Sequence, residues 1–367
     1  MENFRWFLSV ILGMKQLILT SLILGAIFLI DSLNASDSNL NFDKVSDMVN
    51  QDQASSKETP RVWEAYYSQF PDINPDAIRK GCEPLIFDWG EKRKHSIVLI
   101  HGLSDSPYFM RSIGRYFHEQ MGFNVFLPLL QSHGLKEPNG MEGVSLKAWK
   151  ENINFSISEA KKPGDVVSIG GLSTGGALSV QAALEGDAIT GSVFLFSAAL
   201  KLAGSFGGFK AWLLRTPVAD VFDFYDDTYG KPLIGDHPYR YSRVDKGAAK
   251  HLGKLMKEIT ELTAQARSGS SLIQPFFIAH SEADKTASIS GVEELLAVGD
   301  PQKTDFFRMG KHFQIPHSSV VLEEPAYALN GSPLEPANPF FAKMMAQVHT
   351  FSAKNLGLET SAKEADE

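Results

Sequence analysis

The sequence has very little cysteine and no surplus of basic residues. Its 367 residues include a single cysteine, Cys82, which excludes an internal disulfide and a metal site built from several cysteines. Acidic residues outnumber basic ones by 43 to 35, so the formal net charge is -8 at pH 7. Because nucleic-acid binding depends on clustered Lys and Arg, we expect no nucleic-acid partner.

Apolar residues are plentiful, at 43% of the chain, which is enough for a sizeable buried core. Beyond about residue 60, short apolar runs alternate with helical stretches. The runs are apolar nearly throughout, which is typical of parallel strands buried on both faces of a sheet. This pattern predicts an α/β architecture. The predicted strands are Pro84–Asp88, Ser96–Ile100, Asn124–Leu127, Val166–Ile169, Ser192–Phe196, Pro275–Ala279 and Thr304–Met309.

The amino terminus carries a long apolar segment. Trp6–Met14 is mostly apolar, Lys15 interrupts it and Leu17–Ile30 continues it, which provides the roughly 20 residues that a membrane span needs. We predict a signal anchor, that is, a transmembrane helix; the alternative is a signal peptide cleaved after Ala35. Basic groups precede the apolar run and acidic residues follow it, so the positive-inside rule places the rest of the chain outside the cytoplasm, in the periplasm or an equivalent compartment.

Composition divides the chain into four parts. Residues 1–33 form the predicted membrane anchor or signal peptide, and residues 34–60, rich in Ser, Asn, Asp and Gln, form a polar linker. Residues 61–355 form the α/β domain, and residues 356–367 form an acidic tail. The interval of about 199–271 between two predicted strands is too long for a crossover connection, which predicts a helical cap inserted there.

One motif stands where a predicted strand ends. Gly171-Leu172-Ser173-Thr174-Gly175 fits G-x-S-x-G, with a β-branched strand before it and a helix rich in small residues after it. A serine on such a tight turn has strained backbone angles, and the flanking glycines allow the strand and the helix to approach each other. Ser173 is therefore the predicted nucleophile, with Gly171 and Gly175 as the glycines of the turn. The alternative is a glycine-rich turn that only packs a helix onto a sheet.

A serine nucleophile needs a base and an orienting carboxylate, which are expected in the order Ser, acid, His. Asp284 follows the predicted strand Pro275–Ala279 and is the predicted acid, with Glu282 as the alternative. His312 and His317 both follow the last predicted strand. His317 is the preferred base because an apolar run lies directly behind it.

The tetrahedral intermediate of acyl transfer carries an oxyanion, which needs two preorganised N–H donors. We predict Thr174, directly after the nucleophile, and Leu103, because a buried strand runs into a His-Gly turn just before it. His101 is predicted to be a structural residue of that turn. Gly102 belongs to the same turn, and His133 is predicted to lie at the rim of the pocket, with an ordinary polar loop as the alternative.

Four stretches of the region 96–321 resemble the α/β-hydrolase superfamily, and more narrowly its monoacylglycerol lipase and carboxylesterase branch. They are VLIHGLSDSP at Val98–Pro107, SHG at Ser132–Gly134, GLSTGG at Gly171–Gly176, and the EAD and PHSSV segments around Asp284 and His317. The resemblance implies an α/β-hydrolase fold with a core sheet of about eight mostly parallel strands, helices on both faces and a cap after the sixth strand. It also implies ester hydrolysis through an acyl-enzyme.

The predicted function is therefore that of a serine carboxylic-ester hydrolase acting on lipid-like or small acyl esters, without a cofactor. Thioesterase, amidase or peptidase activity stays open within the same fold, as does a membrane-tethered binding protein without turnover. An acidic cluster comprises Asp223, Asp226, Asp227, Asp236 and His237. It lacks the helical histidine spacing of a zinc site, and we predict no metal there.

Overall fold

The computed structural model of the protein describes residues 75–136, 143–204, 234–269 and 274–358, together with residues 62, 63, 65, 66, 68, 140 and 141. The predicted anchor or signal peptide, the linker and the tail from residue 359 onward lie outside the described residues, so those assignments stay predictions. Across the described ranges, no helix combines the length and the apolar character needed to cross a bilayer.

A central sheet of seven strands organises the described part of the chain, and two further strands form a short antiparallel hairpin. The strands are β1 Leu85–Phe87, β2 Arg93–Ile100, β3 Asn124–Leu127, β4 Gly164–Leu172, β5 Val193–Phe196, β6 Phe276–Ser281, β7 Thr304–Met309, β8 Ala326–Tyr327 and β9 Pro333–Glu335. The order in the sheet is β1-β3-β2-β4-β5-β6-β7. Among the described pairs of this seven-stranded sheet, β1 with β3 is antiparallel and the other five are parallel. The seven predicted strands and the mostly parallel sheet are confirmed. In the described residues the central sheet has seven strands, where the resemblance implied about eight.

Helices cover both faces of this sheet. They are α1 Arg111–Glu119, α2 Leu146–Ala160, α3 Thr174–Glu185, α4 Lys246–Gly269, α5 Ile289–Leu296 and α6 Phe341–Leu356. Val98 and Ile100 of β2 belong to the core under α2, α3, α4 and α5, whereas Ile97 and Leu99 belong to the core under α1 and α6. Successive strand residues point to opposite faces. The apolar runs are therefore continuous because both faces are buried, as predicted.

Helix α4 lies inside the interval 199–271, which the sequence predicts to be too long for a crossover. Leu255 and Ile259 of α4 are buried in the same core as α3, and the two helices pack against each other. Helix α4 is therefore the crossover helix between β5 and β6. Residues 205–233 lie outside the described residues, so a cap in that stretch stays a prediction.

The carboxyl ends of the parallel strands meet at one edge of the sheet, which is where α/β proteins place their ligand sites. Strands β4, β6 and β7 end at Leu172, Ser281 and Met309. The residues that follow each of these strands therefore begin from the same edge. Ser173, Asp284 and His317 all belong to segments that begin at this edge.

Candidate active site

Ser173 stands on a sharp turn between β4 and α3. Its backbone angles are φ 55° and ψ -115°, a conformation that residues with side chains rarely adopt. The Ser173 N–H donates to Phe196 O at 3.1 Å, and the Ser173 carbonyl accepts from the N–H groups of Ala177 and Ala199, each at 3.0 Å. Three hydrogen bonds thus hold the serine in a strained conformation, which is a common property of functional residues.

The glycines on either side of Ser173 lie against backbone atoms of β2. A Cβ atom on Gly175 would lie 2.0 Å from the carbonyl oxygen of Ile100, and a Cβ on Gly171 would lie 2.4 Å from the same oxygen. Protein interiors are close-packed and backbone atoms cannot move aside as a flexible side chain can. The close approach of strand and helix therefore explains why both positions carry glycine.

The predicted acid and the preferred base are in direct contact. His317 Nδ1 lies 2.6 Å from Asp284 Oδ2, while Oδ1 accepts hydrogen bonds from the N–H groups of Thr286 at 2.7 Å and Ala287 at 2.9 Å. Burial by itself would raise the pKa of Asp284, but the hydrogen bonds from His317 and the two amides outweigh it and lower the pKa. The carboxylate is therefore ionised and holds a proton on Nδ1 of His317, leaving Nε2 without a hydrogen-bond partner among the described residues.

The alternative acid and base make other contacts. Glu282 accepts a hydrogen bond from the Lys311 N–H at 3.1 Å and pairs with Arg308 at 3.2 Å. His312 is exposed on a short 3-10 turn after β7. Of the two histidines considered from sequence, His317 is the one that contacts the Asp carboxylate.

His101 holds the peptide that carries the Leu103 N–H. Its ring is fully buried, with Nδ1 2.8 Å from Gly102 O, and its Nε2 accepts a hydrogen bond from the Leu130 N–H at 3.1 Å. Burial lowers the pKa of His101 to about 3, so the ring is neutral and its one proton lies on Nδ1. Gly102 O and the Leu103 N–H belong to one peptide unit and point in opposite directions when it is trans. His101 therefore sets the direction of the Leu103 N–H.

Both predicted oxyanion donors belong to backbone next to Ser173. A Cβ on Gly102 would lie only 3.4 Å from Ser173 Cβ, so the turn that precedes Leu103 packs against the serine. Thr174 is the first residue of α3, and the first N–H groups of a helix have no carbonyl partner within it. These two segments can therefore direct N–H groups towards a charge that forms beside Ser173.

His133 supports this region from inside the protein. The ring is fully buried, with Nε2 2.7 Å from Leu103 O and Nδ1 2.9 Å from Gln131 O. Burial lowers the pKa of His133. The two fully buried rings tie the loop after β3 to the turn at Leu103 through these hydrogen bonds. The position of His133 at the rim of the pocket stays a prediction.

A cavity of about 580 Å³ lies beside His317. Its walls include Ser104 from the loop after β2, Arg240 from the segment before α4, and Leu334 and Glu335 from the β8–β9 hairpin. Polar side chains supply most of the lining, and a few apolar ones complete it. Small-molecule sites in proteins have volumes of about 300–1,000 Å³, and this cavity falls within that range.

A partly buried charge cluster beside the cavity was not predicted from sequence. Arg240 donates two hydrogen bonds to Asp105 Oδ1, from Nε at 2.8 Å and from Nη2 at 2.6 Å, and also donates to Glu335 and Ser318. Burial alone would raise the pKa of Asp105, but the charge and hydrogen bonds of Arg240 outweigh it and lower the pKa. Arg240, Asp105, Glu335 and Ser318 come from four separate segments of the chain. The only local sequence feature that could have pointed to this cluster was the Asp within the His-Gly-Leu-Ser-Asp run.

The acidic cluster considered for a metal is only partly described. Asp223, Asp226 and Asp227 lie outside the described residues, and His237 lies 3.6 Å from Glu335. Within the ranges that the structure covers, no group of three His, Cys, Asp or Glu residues is placed to hold a metal ion. The expectation for the full cluster stays a prediction.

Comparison with known proteins relates the chain to others by structure. No protein-family model and no curated protein sequence matches it. A structure reported with LipS and LipT, two metagenome-derived lipolytic enzymes, is similar at a TM-score of 0.58 and 18% identity, over 76% of this chain and 100% of its own. A soluble variant of monoglyceride lipase from Saccharomyces cerevisiae, in complex with a substrate analogue, is similar at a TM-score of 0.54 and 14% identity, over 76% of this chain and 92% of its own.

Proposed function

We propose that this chain, which has the α/β-hydrolase fold, is a serine hydrolase that cleaves carboxylic esters. One observation carries the proposal. His317 and Asp284 form a hydrogen bond, and the loops that carry them start from the same edge of the sheet as the strained Ser173. Nucleophilic acyl transfer requires a base oriented by a carboxylate, together with a serine on a strand-to-helix turn. The lipolytic enzymes among the similar structures support an acyl ester as the substrate class.

In this mechanism His317 Nε2 accepts the proton of the Ser173 hydroxyl as the serine oxygen attacks the ester carbonyl. Asp284 stabilises the imidazolium through the hydrogen bond to Nδ1. The N–H groups of Leu103 and Thr174 donate to the oxyanion. The imidazolium then protonates the departing alcohol. His317 next takes a proton from a water molecule that attacks the acyl-enzyme, and it returns this proton to the Ser173 oxygen as the acid leaves.

We place the activity in the carboxylesterase or monoacylglycerol lipase class, acting on small or lipid-like acyl esters. The cavity beside His317, at about 580 Å³, has room for the alcohol or a short acyl part of such an ester. A series of p-nitrophenyl esters and monoacylglycerols of rising acyl length measures the preferred chain. Thioesters and anilides of the preferred acyl group distinguish thioesterase and amidase activity from ester hydrolysis.

A fluorophosphonate probe tests for the activated serine. We expect it to label the wild type and not Ser173→Ala, because the reaction needs the nucleophile that the base activates. Ser158→Ala, which removes an exposed hydroxyl on α2, is the matched control and should be labelled like the wild type. An unlabelled wild type that is folded by circular dichroism would contradict the proposal and would favour a binding protein without turnover.

The choice of histidine is tested with the same esters. We expect His317→Ala to lower kcat by at least about 1,000-fold, because it removes the base, and His312→Ala to change it by less than about 3-fold. Loss of activity in His312→Ala alone would overturn the assignment.

We also propose that the segment Trp6–Ile30 anchors the enzyme in a membrane, with the hydrolase domain outside the cytoplasm. Arg5 precedes the segment, Lys15 lies in its first half, and Asp31 and Asp37 follow it, and this distribution of charge supports the orientation. Mass spectrometry of the membrane fraction should detect a peptide that contains Trp6. A mature chain that begins after Ala35 would instead identify a cleaved signal peptide.

A further inference from the structure

Arg240 connects the loop of the proposed oxyanion donor to the loop of the proposed base. Its Nη2 lies 2.6 Å from Asp105 Oδ1 and 2.5 Å from Ser318 Oγ. Asp105 comes two residues after Leu103, and Ser318 directly follows His317. A single nitrogen of the guanidinium group therefore contacts both loops.

Asp105, which binds Arg240, also contacts the turn that precedes Leu103. The Asp105 N–H donates to Gly102 O at 3.2 Å and closes the turn. Its Oδ2 packs so closely on Gly102 that a Cβ there would lie 2.3 Å away. The Asp105 side chain is only 4% exposed, so water has little access to the carboxylate and Arg240 is its main counter-charge.

Other contacts hold the guanidinium group itself. Arg240 Nη1 donates to Glu335 at the end of β9, and Arg240 Cζ lies 4.6 Å from the centre of the Phe109 ring. The next residue, Tyr241, donates its N–H to Ser104 O at 2.8 Å, so the backbone of this segment is also attached to the turn. The guanidinium group is planar with donors in fixed directions, and these contacts set its orientation.

We propose that Arg240 is a positioning residue that sets the location of the Leu103 N–H relative to His317. The inference rests on the proposed serine-hydrolase function. Arg240 does not touch the reacting atoms in this role; it holds the donor and the base in one arrangement. Displacement of a catalytic group by about 1 Å can lower a rate by about 100-fold, so a residue that joins the two loops has a measurable effect.

The first test uses Arg240→Met, which removes the guanidinium group and keeps much of the side-chain volume. We expect kcat for a small p-nitrophenyl ester to fall by about 100-fold, with KM changed by less than about 3-fold. Affinity for a trifluoromethyl ketone, which forms an oxyanion on Ser173, should fall by about the same factor as kcat. Equal losses in substrate and analogue binding would contradict the proposal.

A second variant separates positioning from folding. Arg240→Met leaves the buried Asp105 carboxylate without its counter-charge, which by itself destabilises the protein. The double variant Arg240→Met, Asp105→Asn removes that charge and should regain most of the melting temperature. We expect its kcat to stay about 100-fold low because the bridge to Ser318 is still absent. A double variant with full activity would overturn the proposal.

Two neighbouring serines provide a milder matched pair. Ser318→Ala removes one end of the bridge and leaves the pair of Arg240 with Asp105 intact, so we expect kcat to fall by about 10-fold with the melting temperature unchanged. Ser319 is also buried, but its hydroxyl has no hydrogen-bond partner among the described residues, so Ser319→Ala should be as active as the wild type. Equal activity of both variants would contradict the proposal.

A matched cation lies away from the site. Lys150 on α2 pairs with Glu185 at 3.0 Å and Glu258 at 2.8 Å, and its side chain is 24% exposed, against 22% for Arg240. Lys150→Met should therefore lower the melting temperature with kcat unchanged. A loss of kcat like that of Arg240→Met would mean that general destabilisation explains both variants and would overturn the proposal.

A readout that does not need turnover completes the design. The proton between His317 Nδ1 and Asp284, in a bond of 2.6 Å, should give a low-field proton NMR resonance. We expect this resonance to broaden or vanish in the double variant and to persist in Lys150→Met. An inactive wild type whose resonance depends on Arg240 would contradict the serine-hydrolase proposal alone. An unchanged resonance in a fully active double variant would contradict the positioning role alone.

Discussion

His280 Nε2 lies 3.7 Å from Asp284 Oδ2, the same oxygen that receives the hydrogen bond from His317. Burial lowers the pKa of His280, so its ring is neutral, and Nε2 donates to Ala287 O at 3.2 Å. The N–H of Ala287 in turn donates to Asp284 Oδ1 at 2.9 Å. His280 therefore supports the segment that holds the proposed acid, a role that was not predicted from the sequence.

This relationship predicts the effect of His280→Phe. The substitution fills the space but leaves the buried Ala287 carbonyl without a donor, which destabilises proteins by about 1–3 kcal/mol. We expect kcat to fall by about 10-fold as Asp284 loses support, with KM little changed. Urea unfolding and ester kinetics measure the two effects, with His349→Phe on α6 as the control. A fully active His280→Phe would show that Ala287 holds its position without the ring.

Asp284→Asn should lower kcat by about 10,000-fold. An amide cannot stabilise the imidazolium and favours the wrong tautomer of His317, a change that has this magnitude in serine proteases. Glu282→Gln is the matched control, and we expect less than about a 3-fold change because Glu282 pairs with Arg308 instead. Steady-state kinetics with one p-nitrophenyl ester compare them. Similar losses in both variants would mean that Asp284 is not the specific partner of the base.

His95 on β2 should make the stability of the protein depend on pH. Its ring is buried against Phe123, and neither ring nitrogen has a hydrogen-bond partner among the described residues. Burial, and secondarily the charge of Lys94, lower the pKa of His95 to about 4, whereas an unfolded chain has a histidine pKa of about 6.5. Between these values the unfolded state binds more protons, so this contribution to stability is present above about pH 6.5 and is lost as the pH falls towards 4.

His95→Phe should therefore flatten the pH dependence of the free energy of unfolding in this window, by up to about 1.4 kcal/mol per pH unit. Urea unfolding at several pH values from 4 to 7 measures the slope. An unchanged slope would mean that the folded protein protonates His95 as readily as the unfolded chain does.

Gly175→Ala should destabilise the fold by about 1–3 kcal/mol or more. Its new Cβ would lie 2.0 Å from the backbone oxygen of Ile100, and overpacking against atoms that cannot move has a cost of this size. Gly186 at the end of α3 is the control, because its backbone is extended and no atom lies within 4 Å of an added Cβ. Gly186→Ala should be neutral or slightly stabilising. Denaturant unfolding measures the stability of the two variants. Equal stability would show that β2 and α3 can move apart at the turn of Ser173.

Local signals in the sequence were sufficient for much of the fold. Continuous apolar runs identified all seven strands of the sheet, because parallel strands covered on both faces have no polar side. The turn at Ser173 was also visible, since a strand, a serine between glycines and a helix follow one another directly in the chain. In both cases the residues that determine the local structure are close together in the sequence, so the sequence alone is enough to predict it.

Contacts between distant segments were decided by the tertiary structure. The sequence offered two histidines after β7, and only the packing of the loops places His317 against Asp284. Helix α4 became a crossover helix because its apolar face is buried against α3, which length alone did not reveal. The cluster of Arg240 and Asp105 joins residues 135 positions apart. Hydrogen bonds and ion pairs depend on distances of a few ångströms that arise only when the whole sheet and its loops are assembled.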